Sequence, residues 1–119
     1  MDYDIAALPL AKTLGIELIV AEKGRVVGQL TVREEITTGG HILHGGAYMA
    51  FADTLGAIGA VLNLREGTRT TTLESKTNFL GSARVGETIT GRRRRCTSAA
   101  APACGRPGSP APKASCWPR

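Results

Sequence analysis

Cysteine and tryptophan are missing from residues 1–91: Cys96, Cys104, Cys116 and Trp117 all lie beyond them. That stretch therefore has no disulfide framework and no cysteine-based zinc site, and two histidines, His41 and His44, make no metal-ligand pattern by themselves. An unbroken apolar run of eighteen residues is also lacking, which speaks against a membrane-spanning helix. The opening MDYDIAALPLAKTLG is acidic where a secretory signal would place basic residues. A cytoplasmic protein without membrane contact is expected.

Residues 92–119 lack Val, Ile, Leu, Met and any acid, yet hold five of the six prolines. The whole chain has 119 residues and a formal net charge of +5. This charge is unevenly placed. Residues 1–91 carry eight Lys and Arg against ten acids, a net of −2, whereas residues 92–119 carry seven Lys and Arg and none, a net of +7. One small domain is the most that such a length holds, and the apolar residues able to build its core lie in residues 1–91. Residues 92–119 read as disordered on composition. The run from Arg92 to Arg95 is compatible with non-specific contact to nucleic acid or anionic lipid, but no aromatic residues are interleaved among these arginines for base stacking. No nucleic-acid partner is expected.

In the organised part, residues 4–14 suit a short helix if Pro9 lies in its first turn. Residues 16–21 and 25–33, joined by Glu22-Lys23-Gly24, read as a β-hairpin. Residues 34–43 read as a loop, and residues 70–80 and 86–90 as two later strands. Between them, residues 46–63 have helical periodicity. At 100° per residue Phe51, Leu55, Ile58 and Leu62 fall on one stripe, the side a sheet would cover. The opposite side presents Gly46, Met49, Ala50, Asp53, Gly56, Ala57 and Ala60. Small residues around one carboxylate are unusual for a solvated face, so this helix is expected to be enclosed on both sides. A carboxylate withdrawn from water holds its proton more tightly, and such groups cluster at functional sites.

His44-Gly45-Gly46 stands immediately before this helix. Glycines there let a ligand approach the backbone, and the free N–H groups of a helix start are suited to a carbonyl oxygen gaining negative charge. Alone the triplet is a weak signal. Joined to an acid nine residues on, in HGGAYMAFAD, and followed by TTTLESKTNFLGSARVGETITG, it resembles the PaaI-like branch of the hotdog thioesterases over residues 14–91.

The resemblance implies an α+β hotdog fold, in which a long central helix is wrapped by an antiparallel β-sheet. Here the sheet would be truncated at its C-terminal strands. It also implies a homodimer or tetramer with its site at the subunit interface, acting on acyl-CoA without metal or redox cofactor. Asp53 would be the catalytic carboxylate, as general base or nucleophile. The Gly45 N–H would polarise the thioester carbonyl from the facing subunit, with His44 shaping the loop and Thr72 positioning water. Gly46 and the stretch holding Asn78, Phe79, Gly81, Ser82 and Arg84 would bind substrate, Arg84 by meeting a phosphate. Two departures stand out. Thr38 occupies the position where many relatives carry Asn or Gln, and residues 92–119 replace the closing strands. An aryl-acetyl or medium-chain acyl-CoA is the expected substrate; the alternative is a hotdog module that binds acyl-CoA without hydrolysing it.

Residues 92–119 have the composition of a GC-rich gene translated out of frame. Shifting the frame so that the third base of each codon joins the first two of the next forces Leu from Cys116–Trp117 and Ala from Trp117–Pro118. Choosing among the options permitted elsewhere, with the family pattern as guide, gives VHLGRRTRVWQTRVTRAEGQLLA from Arg95 on, a string patterned like a β-hairpin. A frameshift near residues 91–95 is the reading adopted, with 1–91 a partial thioesterase domain and 92–119 an out-of-frame tail.

Overall fold

The computed structural model describes residues 3–95. A 3-10 turn, Ile5–Ala7, is capped by the Asp4 side chain, which accepts from the Ala6 N–H at 3.0 Å. Helix α1, Pro9–Leu14, follows, with Pro9 in its first turn as its missing N–H demands, and Gly15 ends it in the left-handed region at φ 74°. The expected hairpin is present. Strands β1, Ile16–Glu22, and β2, Arg25–Thr31, pair antiparallel through a Lys23-Gly24 turn, with a register shift between Leu18 and Val20.

Residues 34–43, expected as a loop, contain a 3-10 turn at Glu34–Ile36. Two short paired strands follow, β3, Thr37–Thr38, and β4, Ile42–Leu43. Gly40 and His41 turn the chain between them, both at positive φ. Helix α2 spans Gly45–Val61 and lies against the sheet. Strand β5, Thr88–Arg94, completes a sheet of order β1-β2-β5, and no strand follows it among the described residues. β5 begins later than the expected 86–90 and runs three residues beyond Gly91, so the domain edge drawn there lies inside the sheet. Main-chain pairing is the reason: the ladder from Thr31↔Thr88 to Arg25↔Arg94 needs only backbone groups, whatever side chains they carry.

The core forms where α2 crosses β2 and β5. Val26, Leu30 and Ile58 are fully buried, joined by Val32, Phe51 and Leu55. Of the expected helix stripe Phe51, Leu55 and Ile58 are buried, while Leu62, just past the helix, packs half-buried against them. Close approach of helix to sheet depends on two glycines paired across β2 and β5, Gly28 and Gly91. A Cβ on Gly28 would stand 2.8 Å from Leu55, and one on Gly91 would stand 2.6 Å from Leu55 and 2.8 Å from Phe51. The pair thus leaves a notch in which both side chains sit.

Residues 70–80 depart from expectation, since they form no strand. Their threonines and apolar residues suit an extended ladder, but a strand is held by a neighbour's hydrogen bonds. No strand pairs with them among the described residues. Leu73 and Leu80 are accordingly 96% and 94% exposed. Cys96 and all that follows, including most of the proposed tail, lie outside the described residues. Among the described residues no helix is long and apolar enough to cross a membrane.

Candidate active site

Three small clusters bring the expected site residues together, all on or beside α2. At the helix start His44 is the N-cap, and its Nδ1 accepts from the Gly46 N–H at 2.8 Å. The backbone carbonyl of His44 accepts from Ala47 and Tyr48 at 2.9 and 3.1 Å. These bonds occupy the neighbouring donors of the first turn, while the Gly45 N–H meets no acceptor among the described residues. As the acceptor of this bond Nδ1 carries no proton, which leaves Nε2 as the ring's N–H. His44 thus engages the Gly46 N–H and leaves that of Gly45 alone.

The second cluster is an aromatic pair. Phe79 Cζ and Cε1 lie 3.4 and 3.5 Å from where a Cβ on Gly45 would stand. The Phe79 ring meets Tyr48 edge-on, with centroids 6.1 Å apart at 67°. Tyr48 escaped the sequence reading. Its signal was its spacing, three residues after Gly45 on the same helix face.

Asp53 forms the third cluster with Thr72. The Thr72 hydroxyl donates to Asp53 Oδ1 at 2.9 Å, although nineteen residues separate them. Asp53 is half-buried rather than withdrawn from water, and Thr72 is exposed. Both line a groove of about 780 Å³, whose helix wall includes Ala52, Gly56, Ala57, Ala60 and Val61 and whose outer wall is residues 70–76. The small residues expected around the carboxylate thus make room, and one side of the enclosure comes from this chain's own segment. Thr38, by contrast, sits in the short strand β3 and outside this groove.

Asn78, Gly81, Ser82 and Arg84 are exposed on the segment leading to β5. Its end is anchored by backbone bonds, from Leu43 N–H to the Ala83 carbonyl at 2.8 Å and from Val85 N–H to the His41 carbonyl at 3.2 Å. The Arg84 N–H also donates to the Glu87 carboxylate at 2.6 Å. His41 pairs with Glu34 at 2.6 Å on the surface.

Gly45 and Asp53 are not brought together within one chain. They lie on one helix eight positions apart, a rise of about 12 Å at 1.5 Å per residue. A single carbonyl carbon cannot meet both.

Residues 40–94 match the thioesterase superfamily. A 1,4-dihydroxy-2-naphthoyl-CoA hydrolase of Listeria monocytogenes is 35% identical over 77 residues, 65% of this chain and 63% of that protein. A Saccharolobus solfataricus relative is 39% identical over 69 residues, 58% of this chain and 49% of its own length. The chain thus spans between about half and just under two thirds of the curated relatives it matches. Among solved structures, the Escherichia coli PaaI protein superposes with a TM-score of 0.63 at 29% identity, covering 70% of this chain and 58% of that one. A Haemophilus influenzae thioesterase gives 0.67 at 26% identity, covering 74% and 61%. With its long helix laid on an antiparallel sheet, and with the HGG turn and Asp53 inside the span that matches the thioesterase superfamily, the chain has the hotdog fold.

Proposed function

We propose that this protein is a PaaI-like acyl-CoA thioesterase that hydrolyses an aryl-acetyl or medium-chain acyl-CoA to the free acid and CoA. The observation that carries this reading is the hydrogen-bonded pair of Asp53 and Thr72 in a groove beside a helix whose start presents the Gly45 N–H. Asp53 acts as general base. Thr72 engages Oδ1, and the carboxylate takes a proton from water as the water oxygen bonds to the thioester carbon. The carbonyl oxygen gains negative charge and is held by the Gly45 N–H. Collapse of this intermediate breaks the C–S bond, and the departing sulfur recovers the proton as the thiol of CoA.

The span of about 12 Å between the two groups on one helix supports a site in which they come from different subunits. A homodimer, alone or paired into a tetramer, with Gly45 of one copy facing Asp53 of the other satisfies this. Arg84 then offers an exposed guanidinium to a CoA phosphate. A cytoplasmic location suits a substrate that is itself a cytoplasmic metabolite.

The reading of residues 92–119 as out of frame belongs with this assignment. In β5, Ile89, Gly91 and Arg93 share the half-buried side. The third of these inserts a guanidinium where the first two are apolar or small. Arg93 Nη1 is buried without a hydrogen-bond partner. Sequencing the DNA across codons 88–119 decides the frame.

The activity is tested by presenting the purified chain with a panel of acyl-CoA thioesters and following released CoA with a thiol reagent. Hydrolysis is expected, and Asp53→Asn should lower kcat by about 10²–10⁴ at unchanged secondary structure, the usual contribution of a general base. Wild-type turnover in a folded Asp53→Asn variant would refute the assignment.

A further inference from the structure

The chemistry above leaves the ring of Phe79 without a task. It is 54% exposed, yet it has neighbours on two sides, the Gly45 position and the Tyr48 ring in a T-shaped arrangement. A Cβ at position 45 would stand in van der Waals contact with this ring, 3.4 Å from Cζ, so the N–H and the aromatic wall are immediate neighbours. Because His44 engages the Gly46 N–H, the donor next to the wall is Gly45 itself.

A donor aimed at a developing oxyanion acts more strongly where water is kept away. Two rings provide that exclusion and an apolar surface at the same spot. CoA is highly charged and polar and gains little from such a surface; the carbons next to the thioester carbonyl gain a great deal. We propose that Phe79 and Tyr48 form the wall that receives the first carbons of the acyl group, making Phe79 a specificity-determining residue for the acyl moiety rather than part of the CoA-binding stretch around it. The favoured class is a thioester with an apolar acyl group, an aromatic one above all, since a further ring can join the edge-to-face arrangement. This inference rests on Gly45 being the donor to the thioester carbonyl.

The test measures binding in the full chain carrying Asp53→Asn, so that substrate is not consumed. Phenylacetyl-CoA, acetyl-CoA and free CoA are titrated by calorimetry, with and without Phe79→Ala. Removing the ring should weaken phenylacetyl-CoA about tenfold to a hundredfold, the range set by losing one large buried apolar contact, while free CoA changes by less than about twofold. Phe79→Leu keeps apolar volume and should fall between, which preserves the comparison if the alanine variant does not fold. Equal weakening of free CoA and phenylacetyl-CoA overturns the proposal, as does an unchanged preference between phenylacetyl-CoA and acetyl-CoA. A chain that binds none of the three overturns it as well. Selective binding without hydrolysis by the wild type would instead remove the catalytic reading and leave the wall standing.

Discussion

Two regions of similar local character have opposite fates. Residues 25–31 and residues 70–80 both carry β-prone and apolar side chains, but the first form the central strand β2, with neighbours on both edges and Val26 and Leu30 fully buried. The second stay irregular, leaving Leu73 and Leu80 almost wholly in water. Composition does not separate them. What separates them is a partner: β2 has β1 and β5 for its ladder and α2 for its face, while among the described residues 70–80 joins no ladder and meets α2 through the Thr72–Asp53 bond and the Phe79 ring.

The sharpest way to break this comparison is to cut one apolar side chain from each region. Ile58→Ala should cost about 2–5 kcal/mol, because a fully buried side chain leaves both lost contacts and a cavity. Leu73→Ser should shift the stability of the isolated chain by no more than about 0.5 kcal/mol. Urea unfolding of the two variants side by side checks both, and a comparable loss from Leu73→Ser would mean that 70–80 is packed after all.

A smaller effect is expected inside the packed region. Gly91→Ala places a methyl group 2.6 Å from Leu55, and the resulting overpacking should destabilise by about 1–3 kcal/mol. Gly24→Ala, on the open hairpin turn with nothing near its Cβ, is the control. A melting temperature for Gly91→Ala equal to that control would show that helix and sheet do not depend on the notch.

A further effect has the opposite sign. Arg93 packs its side chain over Gly59, with Nη1 buried and unpartnered, and burial followed by the nearby Arg95 charge lowers its pKa. A cation whose folded-state pKa is depressed opposes folding at every pH below that value, and the opposition fades only as pH rises through it. A guanidinium stays protonated at all working pH, so the penalty persists throughout. Arg93→Ala should therefore stabilise the chain by about 1 kcal/mol, with little variation between pH 6 and 9. A destabilised Arg93→Ala would show that Arg93 fits its place and would weaken the case for a changed frame.

Much of the fold was legible because it is encoded locally. The β1–β2 hairpin follows from two strand-like runs around a short turn, and α2 from a periodicity that its own residues repeat. The HGG turn, Asp53 and Thr72 were likewise recognisable as residue types in a pattern. What stayed hidden depends on segments far apart in the chain. The Gly28–Gly91 notch exists only once β2 and β5 pair, and Tyr48 gains its place only when Phe79 folds back over Gly45. Arg92–Arg94 read as tail because charge and missing aliphatics describe side chains, whereas a ladder is formed by backbone. Residues 70–80 read as a strand because propensity describes a residue's preference and not its neighbours. The sequence by itself determined the hairpin and the helix, and it singled out Asp53 as the one acid on that helix. Tertiary structure decided which N–H remains available, which glycines must stay bare and which apolar residues are left in water, because each of these is a distance between groups that no local pattern specifies.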